Sequence, residues 1–533
     1  CSMPSTHISI RDTHYFSSLI CDYLDESTLV KPLFSRFPNL DNFKSQIHEK
    51  NTNFDTSHRP ILVETLRKQY ESTKSSKITI ANIDALLDHD TFTITTGHQL
   101  NLFTGPLYFL YKIISVINLT EELKEKYPSC NFVPVYWMAT EDHDFDEINF
   151  FNYNGTKLQW SRESSGAVGR INTEGLEAIL ATFKSVIGVG KNADVLLDLF
   201  QKTYIEQSNL TEATRYLTNE LFKSYGLVII DGDDKNLKAL FSPHIKQELF
   251  KQTSYNSVQE TNKYLKTHKY KVQVNPREIN LFYLKDNNRN RLLKKKERFF
   301  VNDTDISFSK SEIMKEVECF PERFSPNVIM RPLYQEVILP NLCYIGGGGE
   351  LAYWLQLKSY FNSENITFPM LLLRNSVLIT TSKQIGKADK LGLSIKELFK
   401  KQEDLIADKI RQFSTFNIDF TPQIELLQNQ FLYLHEIAKQ TDKSFSGAVS
   451  AQEKKQLKGL INLEKRLLKA QKRKLNHLTS RIIDLQNELF PRENLQERQL
   501  NFSELYMLFG TQLIEQLVLN LQPLKKDFLI LEM

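Results

Sequence analysis

The sequence predicts an α/β core built around a parallel sheet, followed by a helical coiled-coil domain. The core is predicted from residues 91–147, whose pattern is strand, loop, helix, strand, because two parallel strands need a crossover of helix length. The second domain is predicted from the composition after residue 382, where glycine and proline become rare and Lys, Glu, Gln and Leu dominate. A heptad pattern within that stretch indicates the coiled coil.

The two strands of the first unit are expected to be parallel neighbours. Residues 91–96 (TFTITT) and 132–140 (FVPVYWMAT) are apolar enough to be buried strands, and residues 107–127 between them have helical spacing. We predict that residues 93–96 lie beside residues 133–138 in a central sheet. The polar residues that follow each strand would then lie at the edge where such sheets bind ligands.

The remaining core elements are predicted from periodicity and turn residues. A helix over residues 210–225 is followed by residues 227–234 (LVIIDGDD), which predict another short buried strand ending in acids. Residues 269–274 (KYKVQV) alternate as a strand does, and residues 280–283 with 291–293 predict a hairpin.

A chain of 533 residues is too long for one compact core, so several domains are expected. We place the α/β core at residues 1–381 and the coiled-coil domain at residues 382–500. A final helix and strand over residues 501–533 are predicted to return to the core.

Composition and charge exclude several function classes. The net charge of +3 predicts no nucleic-acid partner and no membrane-surface partner. No apolar run reaches the roughly 18 residues that cross a bilayer, so no membrane partner is expected. The first residues lack the apolar region of a signal peptide. The cysteines are widely spaced, without a CxxC pair, which favours a reducing cytoplasm over a disulfide framework; they are Cys1, Cys21, Cys130, Cys319 and Cys343.

The coiled coil is predicted from a heptad spacing. Ile461, Leu468, Leu475, Ile482 and Leu489 are each seven residues apart. We predict one continuous helix over residues 450–489 that packs on a helix over residues 422–440. A symmetric dimer through the same helices would add to this hairpin.

The first polar group follows the first strand and contains Gly97, His98, Gln99, Asn101, Thr104 and Gly105. Glycine lets the backbone approach a ligand closely, and the start of the next helix favours an anion such as phosphate. The glycine spacing fits neither a dinucleotide fingerprint nor a P-loop. The alternative is an ordinary loop with a buried histidine.

The second polar group is residues 141–147 (EDHDFDE), directly after the second strand. Glu141, His143 and Asp144 are the candidates for a general base or for binding a substrate amine. Carboxylates with an imidazole could also bind a divalent metal, but no metal site is evident from the spacing. The alternative is a solvated acidic loop or the start of a helix.

The third group is residues 325–354, with four consecutive glycines, Gly346, Gly347, Gly348 and Gly349. They precede an amphipathic helix and would expose backbone N–H groups at its start. Arg331, Gln335 and Glu350 could supply specific polar contacts. The alternative is a tight connection with unusual dihedral angles. Trp137 and Tyr353 complete the predicted ligand site.

Four motifs in this order carry a family resemblance: TGHQLNLFTGPLYFLYK, VPVYWMATEDHDFDEIN, GLVIIDGDD and SPNVIMRPLYQEVILPNLCYIGGGGELAYW. Together with the late coiled coil, they resemble the bacillithiol biosynthesis cysteine-adding enzymes over nearly the whole chain. The resemblance implies a Rossmann-like core with two connecting-peptide insertions, at roughly residues 151–300, as in class I cysteinyl ligases. It also implies a coiled-coil domain that forms a homodimer.

The implied activity is that of a ligase in the last step of bacillithiol biosynthesis. Cysteine would be joined to glucosaminyl malate through an amide bond, and fold analogy suggests ATP or ADP as the cofactor, with adenylation of cysteine. Family members often carry Gln at the position of His98, which favours ligand contact over a chemical role for this histidine. Cys130, Cys319 and Cys343 are interpreted as structural.

Two alternatives remain: a non-enzymatic nucleotide-binding coiled-coil dimer, and a nucleotidyltransferase that acts on another small molecule. If the two glycine loops and the acidic residues line one cleft, an enzyme is favoured. Loops that face separate surfaces favour a binding protein.

Overall fold

The computed structural model describes residues 5–533, so Cys1 lies outside the described residues. The chain divides into two compact units. The first combines the chain up to Ile379 with Gln496–Met533, and the second is Thr380–Leu495. The sequence had suggested boundaries at residues 381 and 500.

The regular elements are numbered in chain order. The strands are β1 (Ser5–Ser9), β2 (Thr91–His98), β3 (Asn131–Met138), β4 (Phe150–Tyr153), β5 (Thr156–Gln159), β6 (Val228–Asp231), β7 (Leu281–Lys285), β8 (Asn288–Lys295), β9 (Arg298–Val301), β10 (Ser307–Phe308), β11 (Phe324–Pro326), β12 (Asn341–Gly346), β13 (Met370–Leu373), β14 (Ser376–Thr380) and β15 (Asp527–Glu532). The helices are α1 (Ser18–Leu24), α2 (Asn42–Asn53), α3 (His58–Gln69), α4 (Lys77–Ala85), α5 (Tyr108–Lys126), α6 (Phe145–Ile148), α7 (Leu176–Val186), α8 (Lys191–Tyr204), α9 (Leu210–Phe222), α10 (Lys235–Lys251), α11 (Thr253–Thr267), α12 (Lys310–Cys319), α13 (Arg331–Ile338), α14 (Gly348–Trp354), α15 (Lys358–Ser363), α16 (Ser382–Lys390), α17 (Gln402–Phe413), α18 (Thr421–Ala438), α19 (Lys443–Lys474), α20 (Asn476–Leu489), α21 (Gln496–Gln499), α22 (Phe502–Phe509) and α23 (Gln512–Asn520).

The central sheet is parallel and has the strand order β13-β12-β2-β3-β6. The pairing of β2 with β3 runs in step from Thr91 opposite Asn131 to His98 opposite Met138, as predicted. Chain order moves outward from β2 through β3 to β6, and then outward on the other side from β12 to β13. Strand order therefore reverses between β2 and β12, and this switch point is where doubly wound sheets leave a crevice for ligands.

The strands of this sheet read as continuous apolar runs because both faces are covered. β2 and β3 are buried almost throughout, as expected for parallel strands between helical layers. Phe92, Val116, Phe132 and Leu342 are at most 1% exposed and form one core cluster. Burying such side chains stabilises the fold by roughly 1.5–3 kcal/mol each.

Two long segments interrupt the central sheet. Between β3 and β6 lie the β4–β5 hairpin and α7–α9. Between β6 and β12 lies a five-stranded sheet of order β10-β9-β8-β7-β11, antiparallel at each pairing and called here the inserted sheet. The predicted hairpin is confirmed as β7 and β8, with Asp286 and Asn287 at positive φ in the two-residue turn.

The predicted strand over residues 269–274 is wrong. The side chain of Gln356 accepts the backbone N–H groups of Gln273 and Val274, each at 3.0 Å, and donates to the Val274 carbonyl at 2.8 Å. A buried amide therefore satisfies the hydrogen bonds that a neighbouring strand would otherwise supply.

The C-terminal segment returns to the first unit. Strand β15 pairs antiparallel with β1 and lies between β1 and β14. Ile379 and Gln496 exchange two hydrogen bonds of 3.0 Å at the point where the chain leaves and re-enters this unit. Nearby, the buried Arg374 and Glu497 form an ion pair of 2.7 Å.

The second unit is helical. Helix α18 packs on α19 through Phe431, Ala438 and Val449, which confirms the predicted hairpin. The predicted continuous helix over residues 450–489 is wrong, because it begins earlier, at Lys443, and is broken at Leu475 between α19 and α20. The heptad spacing is the same on both sides of this break, so the pattern could not reveal it.

Within residues 5–533, no helix is both long enough and apolar enough to cross a membrane. The cysteines of this range, Cys21, Cys130, Cys319 and Cys343, are free thiols. Cys343 is fully buried, and its burial raises its pKa well above the usual value, which suits a packing role.

Candidate ligand cavity at the sheet switch point

One cavity of about 560 Å³ lies at the carboxyl ends of the central strands. It is lined by the strand ends on both sides of the switch point and by the inserted sheet. The predicted site residues that line it are Gly97, His98, Gln99, Trp137, Glu141, His143, Asp144, Arg331, Gln335, Glu350 and Tyr353. The predicted site residues outside its lining are Asn101, Thr104, Gly105, Gly346, Gly347, Gly348 and Gly349.

Lys112 and Glu350 join the two sides of the switch point. Lys112 lies on α5, and its ammonium donates to the Gly97 carbonyl and to both Glu350 carboxylate oxygens, at 2.8 and 2.9 Å. Glu350 also accepts the hydroxyl of Tyr344 at 2.8 Å and the N–H of Gly347 at 2.9 Å. Its carboxylate is saturated by these donors, so Glu350 holds the cavity together more than it binds a ligand.

The pKa of Lys112 and the pKa of Glu350 both lie below their usual values. Burial lowers the pKa of Lys112, and the Glu350 carboxylate opposes this shift. Burial alone would raise the pKa of Glu350, but Lys112 and the other donors outweigh it, so this pKa lies below its usual value. The ionised form of Glu350 is therefore favoured, and its carboxylate limits the lowering of the Lys112 pKa.

The four glycines do not form a loop with unusual dihedral angles. Gly346 ends β12, Gly347 caps α14, and Gly348 and Gly349 begin that helix, all without positive φ. Space is the reason for glycine at Gly346, where a Cβ would lie 3.0 Å from the side chains of Tyr344, Glu350 and Leu351. A Cβ at Gly348 would meet Phe16 at 3.4 Å, outside the cavity lining.

His98 is the last residue of β2 and is buried between aromatic rings. Its ring centroid lies 5.7 Å from Tyr108 and 5.1 Å from Phe109. Burial, with the charges of Lys112 and Arg374, holds its pKa well below the usual value, although a backbone hydrogen bond with Thr104 opposes this. Among the described residues its Nε2 has no hydrogen-bond partner. His98 is therefore a neutral, buried ring whose Nε2 lacks a partner within the described residues.

The loop after His98 anchors the returning C-terminal segment. Asn501 donates to the carbonyls of Phe103 and Gly105, both at 2.7 Å. Thr104 and Gly105 have positive φ, and a Cβ at Gly105 would lie 2.6 Å from the side chain of Asn101. Glycine is thus needed here for backbone conformation and close packing.

Two acids of the 141–147 segment are bound to cations or polar groups. Glu141 forms an ion pair of 2.5 Å with the buried Lys238. Asp142 accepts from the Gln99 amide at 3.2 Å. Burial alone would raise the pKa of Asp142, but Arg331 and Gln99 outweigh it, and the pKa lies below its usual value. Both carboxylates are therefore weak candidates for a base.

His143 is held by an arginine from the inserted sheet. Arg289 donates to its Nδ1 at 2.7 Å. A guanidinium can only donate, so Nδ1 is the acceptor and the proton of the neutral ring is on Nε2, which lies 3.8 Å from the Asp144 carboxylate. Asp144 is half-exposed, and no cation or hydrogen-bond donor at bonding distance is found for it among the described residues.

Asp142, His143 and Asp144 each place one possible metal ligand atom within 4.8 Å of the others. This donor set suits a divalent cation. However, the Arg289 guanidinium occupies His143 Nδ1 and adds a positive charge beside the group. The expected absence of a metal stays a prediction.

The remaining predicted residues form the deeper wall. Arg331 begins α13 and hydrogen-bonds Tyr353. Burial would lower the pKa of Arg331, but Tyr353, Asp142 and Tyr344 outweigh burial and raise this pKa. The guanidinium therefore stays charged. Trp137 packs edge-on against Tyr334, with ring centroids 5.4 Å apart. Gln335 donates to the buried Glu336 at 3.1 Å.

Two family models together match nearly the whole chain. "Bacillithiol biosynthesis BshC, N-terminal Rossmann-like domain" matches residues 3–375, and "Bacillithiol biosynthesis BshC, C-terminal coiled-coil domain" matches residues 377–533. The chain belongs to the bacillithiol biosynthesis BshC family. The resemblance found in the motifs is thereby confirmed, as is the fold class, a Rossmann-like core with a coiled-coil domain.

Relatives within the BshC family cover this chain from end to end. A protein of Flavobacterium johnsoniae is 60% identical over 99% of this chain and 100% of its own. One of Christiangramia forsetii is 55% identical over 99% of each chain. Both carry the name "Putative cysteine ligase BshC". Among solved structures, a tryptophanyl-tRNA synthetase of Plasmodium falciparum is 14% identical over 84% of this chain and 93% of its own, with a TM-score of 0.19, which carries no argument.

Several lining residues of this BshC family member were missed by sequence reasoning. They are Tyr108, Lys112, Asn275, Arg277, Arg289, Arg291, Asn327 and Tyr344. Lys112 gave a usable signal, since it is one charge within the apolar helical run LYFLYKIISVINL. The arginines gave none, because they lie in the segment between β6 and β12, more than 100 residues along the chain from the ends of β2 and β3.

Proposed function

We propose that this protein joins cysteine to glucosaminyl malate through an amide bond, with ATP activating the cysteine carboxylate. Membership of the BshC family supports the ligase class that the sequence predicts. The observation that carries the substrate proposal is the cavity itself. It combines Asp144, whose carboxylate accepts no hydrogen bond from residues 5–533, with arginines that form no ion pair within that range, so it suits an amine and anionic groups together.

Asp144 is the proposed base. Amide formation needs a neutral amine, so a group at the cavity must accept a proton from the substrate ammonium before the amine attacks the activated carboxylate. Glu141 is paired with Lys238, Asp142 has a lowered pKa, and the free lone pair of His143 is taken by Arg289. Asp144 is the carboxylate that remains, and Nε2 of His143 lies 3.8 Å from it.

The deeper wall suits the carboxylate and the nucleotide. Arg331 offers a charged guanidinium for carboxylate or phosphate oxygens. ATP supplies activation of a carboxylate that is otherwise unreactive toward amines. The protein's own contribution is to hold the two substrates at the switch point and to accept the proton.

The coiled coil supports a homodimer proposal. Leu432, Tyr433 and Leu463 on α18 and α19 are 64%, 71% and 53% exposed, although they are large and apolar. Exposed apolar side chains along paired helices favour a partner helix, which a second copy of the chain would supply. Free thiols at the described cysteines support the cytoplasm as the compartment.

The non-enzymatic alternative is disfavoured by the same cavity. Gly97–Gln99, Asp144 and Glu350 line one space, where a scaffold would leave these loops on separate surfaces.

The test is a product assay. Purified protein is mixed with cysteine, glucosaminyl malate and ATP, and the thiol amide is measured by mass spectrometry with each component omitted in turn. Formation of AMP or ADP identifies how the carboxylate is activated. No amide with all three components present would refute the proposal.

A matched pair of variants tests the base. Asp144→Asn should lower kcat by about 100-fold or more, as for loss of a general base, with little change in melting temperature, because the side chain is half-exposed. Asp146→Asn removes the same charge from an exposed neighbour outside the cavity lining and should be nearly silent. Equal activity of both variants would assign the base elsewhere.

A further inference from the structure

The charges that line the cavity are unbalanced. Glu350 is neutralised by Lys112, and Glu141 is neutralised by Lys238 from behind the lining. The lining then keeps four arginines, Arg277, Arg289, Arg291 and Arg331, facing only Asp142 and Asp144. The cavity therefore has an excess of two positive charges, which favours a ligand group with two negative charges.

The guanidinium groups of two of these arginines have no partner within residues 5–533. Each nitrogen of the Arg289 guanidinium already donates once: to His143, to the Ser325 hydroxyl at 3.0 Å and to the Pro326 carbonyl at 3.3 Å. For Arg277 and Arg291, the described residues offer no side-chain hydrogen bond and no ion pair to the guanidinium, and both side chains are exposed at the cavity.

The backbones of Arg277 and Arg291 are both held by hydrogen bonds to neighbouring residues. Arg291 is on β8 opposite Phe282, and Arg289 is two residues away, so the three side chains share one face of the inserted sheet. Arg289 lies 4.0 Å above the Phe282 ring, which fixes that face toward the cavity. The backbone N–H of Arg277 donates to Asn280 at 3.1 Å, and Asn280 is buried against Glu248.

We propose that Arg277 and Arg291 bind the two carboxylates of the acceptor substrate, so that the inserted sheet selects a dicarboxylate-bearing amine. The proposal rests on the proposed function. Guanidinium groups bind planar carboxylates through paired N–H donors, and a malyl group presents two of them. With its carboxylates on Arg291 of β8 and on Arg277 in the segment before β7, the acceptor extends its amine toward Asp144 and the switch point. Guanidinium groups would also suit nucleotide phosphates, and the experiment below distinguishes acceptor carboxylates from nucleotide phosphates.

The test uses Arg277→Gln, Arg291→Gln and the double variant of the full-length protein. Arg298→Gln is the control, because Arg298 is an exposed arginine of the same sheet outside the cavity lining. Each single variant should raise the KM for glucosaminyl malate by about tenfold, and the double variant by about 100-fold. The KM values for cysteine and ATP should stay within about twofold, and the control should resemble the wild type.

An acceptor with both carboxylates as methyl esters gives a second readout. Its KM should be the same for wild type and the double variant, because the contact that the variant removes is already lost. A higher KM for ATP with an unchanged KM for glucosaminyl malate would assign the arginines to the nucleotide and overturn the proposal. Unchanged values for every substrate would also overturn it.

Calorimetric titration of glucosaminyl malate separates this inference from the proposed function. If the wild type binds this compound and the double variant does not, the arginine site stands even where no amide is formed. If amide is formed and the double variant binds glucosaminyl malate as tightly as the wild type, the arginine site is refuted while the proposed function stands.

Discussion

Replacing Lys112 by Met should destabilise the first unit, because it leaves the Glu350 carboxylate without its cation. The Lys112 side chain is 2% exposed and that of Glu350 is 26% exposed. Removing one partner of a buried ion pair commonly costs about 3–5 kcal/mol. Because Glu350 keeps a quarter of its side chain open to the cavity, we expect the low end, a loss of about 3 kcal/mol in the free energy of unfolding.

Urea unfolding followed by tryptophan fluorescence measures this loss. Trp137, Trp160 and Trp354 are the three tryptophans of the chain and all belong to the first unit, so the signal reports that unit alone. Trp354 is well placed for the purpose, because its ring stacks 4.4 Å from Tyr344, whose hydroxyl donates to Glu350.

Two controls make the result specific. Lys124→Met removes an exposed ion pair of 2.7 Å with Glu121 on the same helix, and it should cost less than about 1 kcal/mol. Lys112→Met combined with Glu350→Gln removes both charges and should be less destabilised than Lys112→Met alone. A loss below about 1 kcal/mol for Lys112→Met would refute the argument that this pair holds the switch point together.

Three further predictions follow from other residues. Burial raises the pKa of Glu504 from 4.5 to about 7, so the folded protein keeps a proton that the unfolded chain has released. The free energy of unfolding of the wild type should therefore fall by roughly 3 kcal/mol from pH 4.5 to pH 8, relative to Glu504→Gln; parallel urea-unfolding profiles for the two proteins would contradict this. Leu432→Asp with Leu463→Asp should give monomers in light scattering, and a wild type that is already monomeric at micromolar concentration would contradict the dimer. His98→Gln should change kcat by less than about threefold, because His98 is neutral and glutamine keeps a polar contact; a 100-fold loss would indicate proton transfer by His98.

Residue periodicity and turn residues predicted the elements that depend mainly on neighbours in the chain. The β2–α5–β3 unit follows from apolar runs separated by a helical period, and the hairpin of β7 and β8 follows from its turn residues. The strand over residues 269–274 failed because the side chain of Gln356, far along the chain, takes over its backbone hydrogen bonds. Alternation alone could not reveal such a partner.

The candidate site was predicted where it consists of strand ends and missed where it depends on long-range packing. Glycines Gly346–Gly349 suggested a ligand loop, yet at Gly346 glycine is required by the side chains of Tyr344 and Glu350 around it. The arginines Arg277 and Arg291 belong to an insertion, and sequence gives no measure of which face an inserted sheet turns toward the core. The position of Arg291 opposite Phe282 follows from the pairing register of β7 and β8, and Arg277 lies in the segment before β7.

The second unit is inserted into the first, so the polypeptide passes between the two units twice, once after Ile379 and once before Gln496. Ile379 and Gln496 touch through paired hydrogen bonds, and the tail after them is held by β1 and by the Arg374–Glu497 ion pair. A protease that cuts once within Thr380–Leu495 would therefore leave two fragments that migrate separately after denaturation but elute together under native conditions. By the same geometry, a linker of a few residues between Ile379 and Gln496 could replace the whole insertion and give a shortened chain whose first unit still closes on itself.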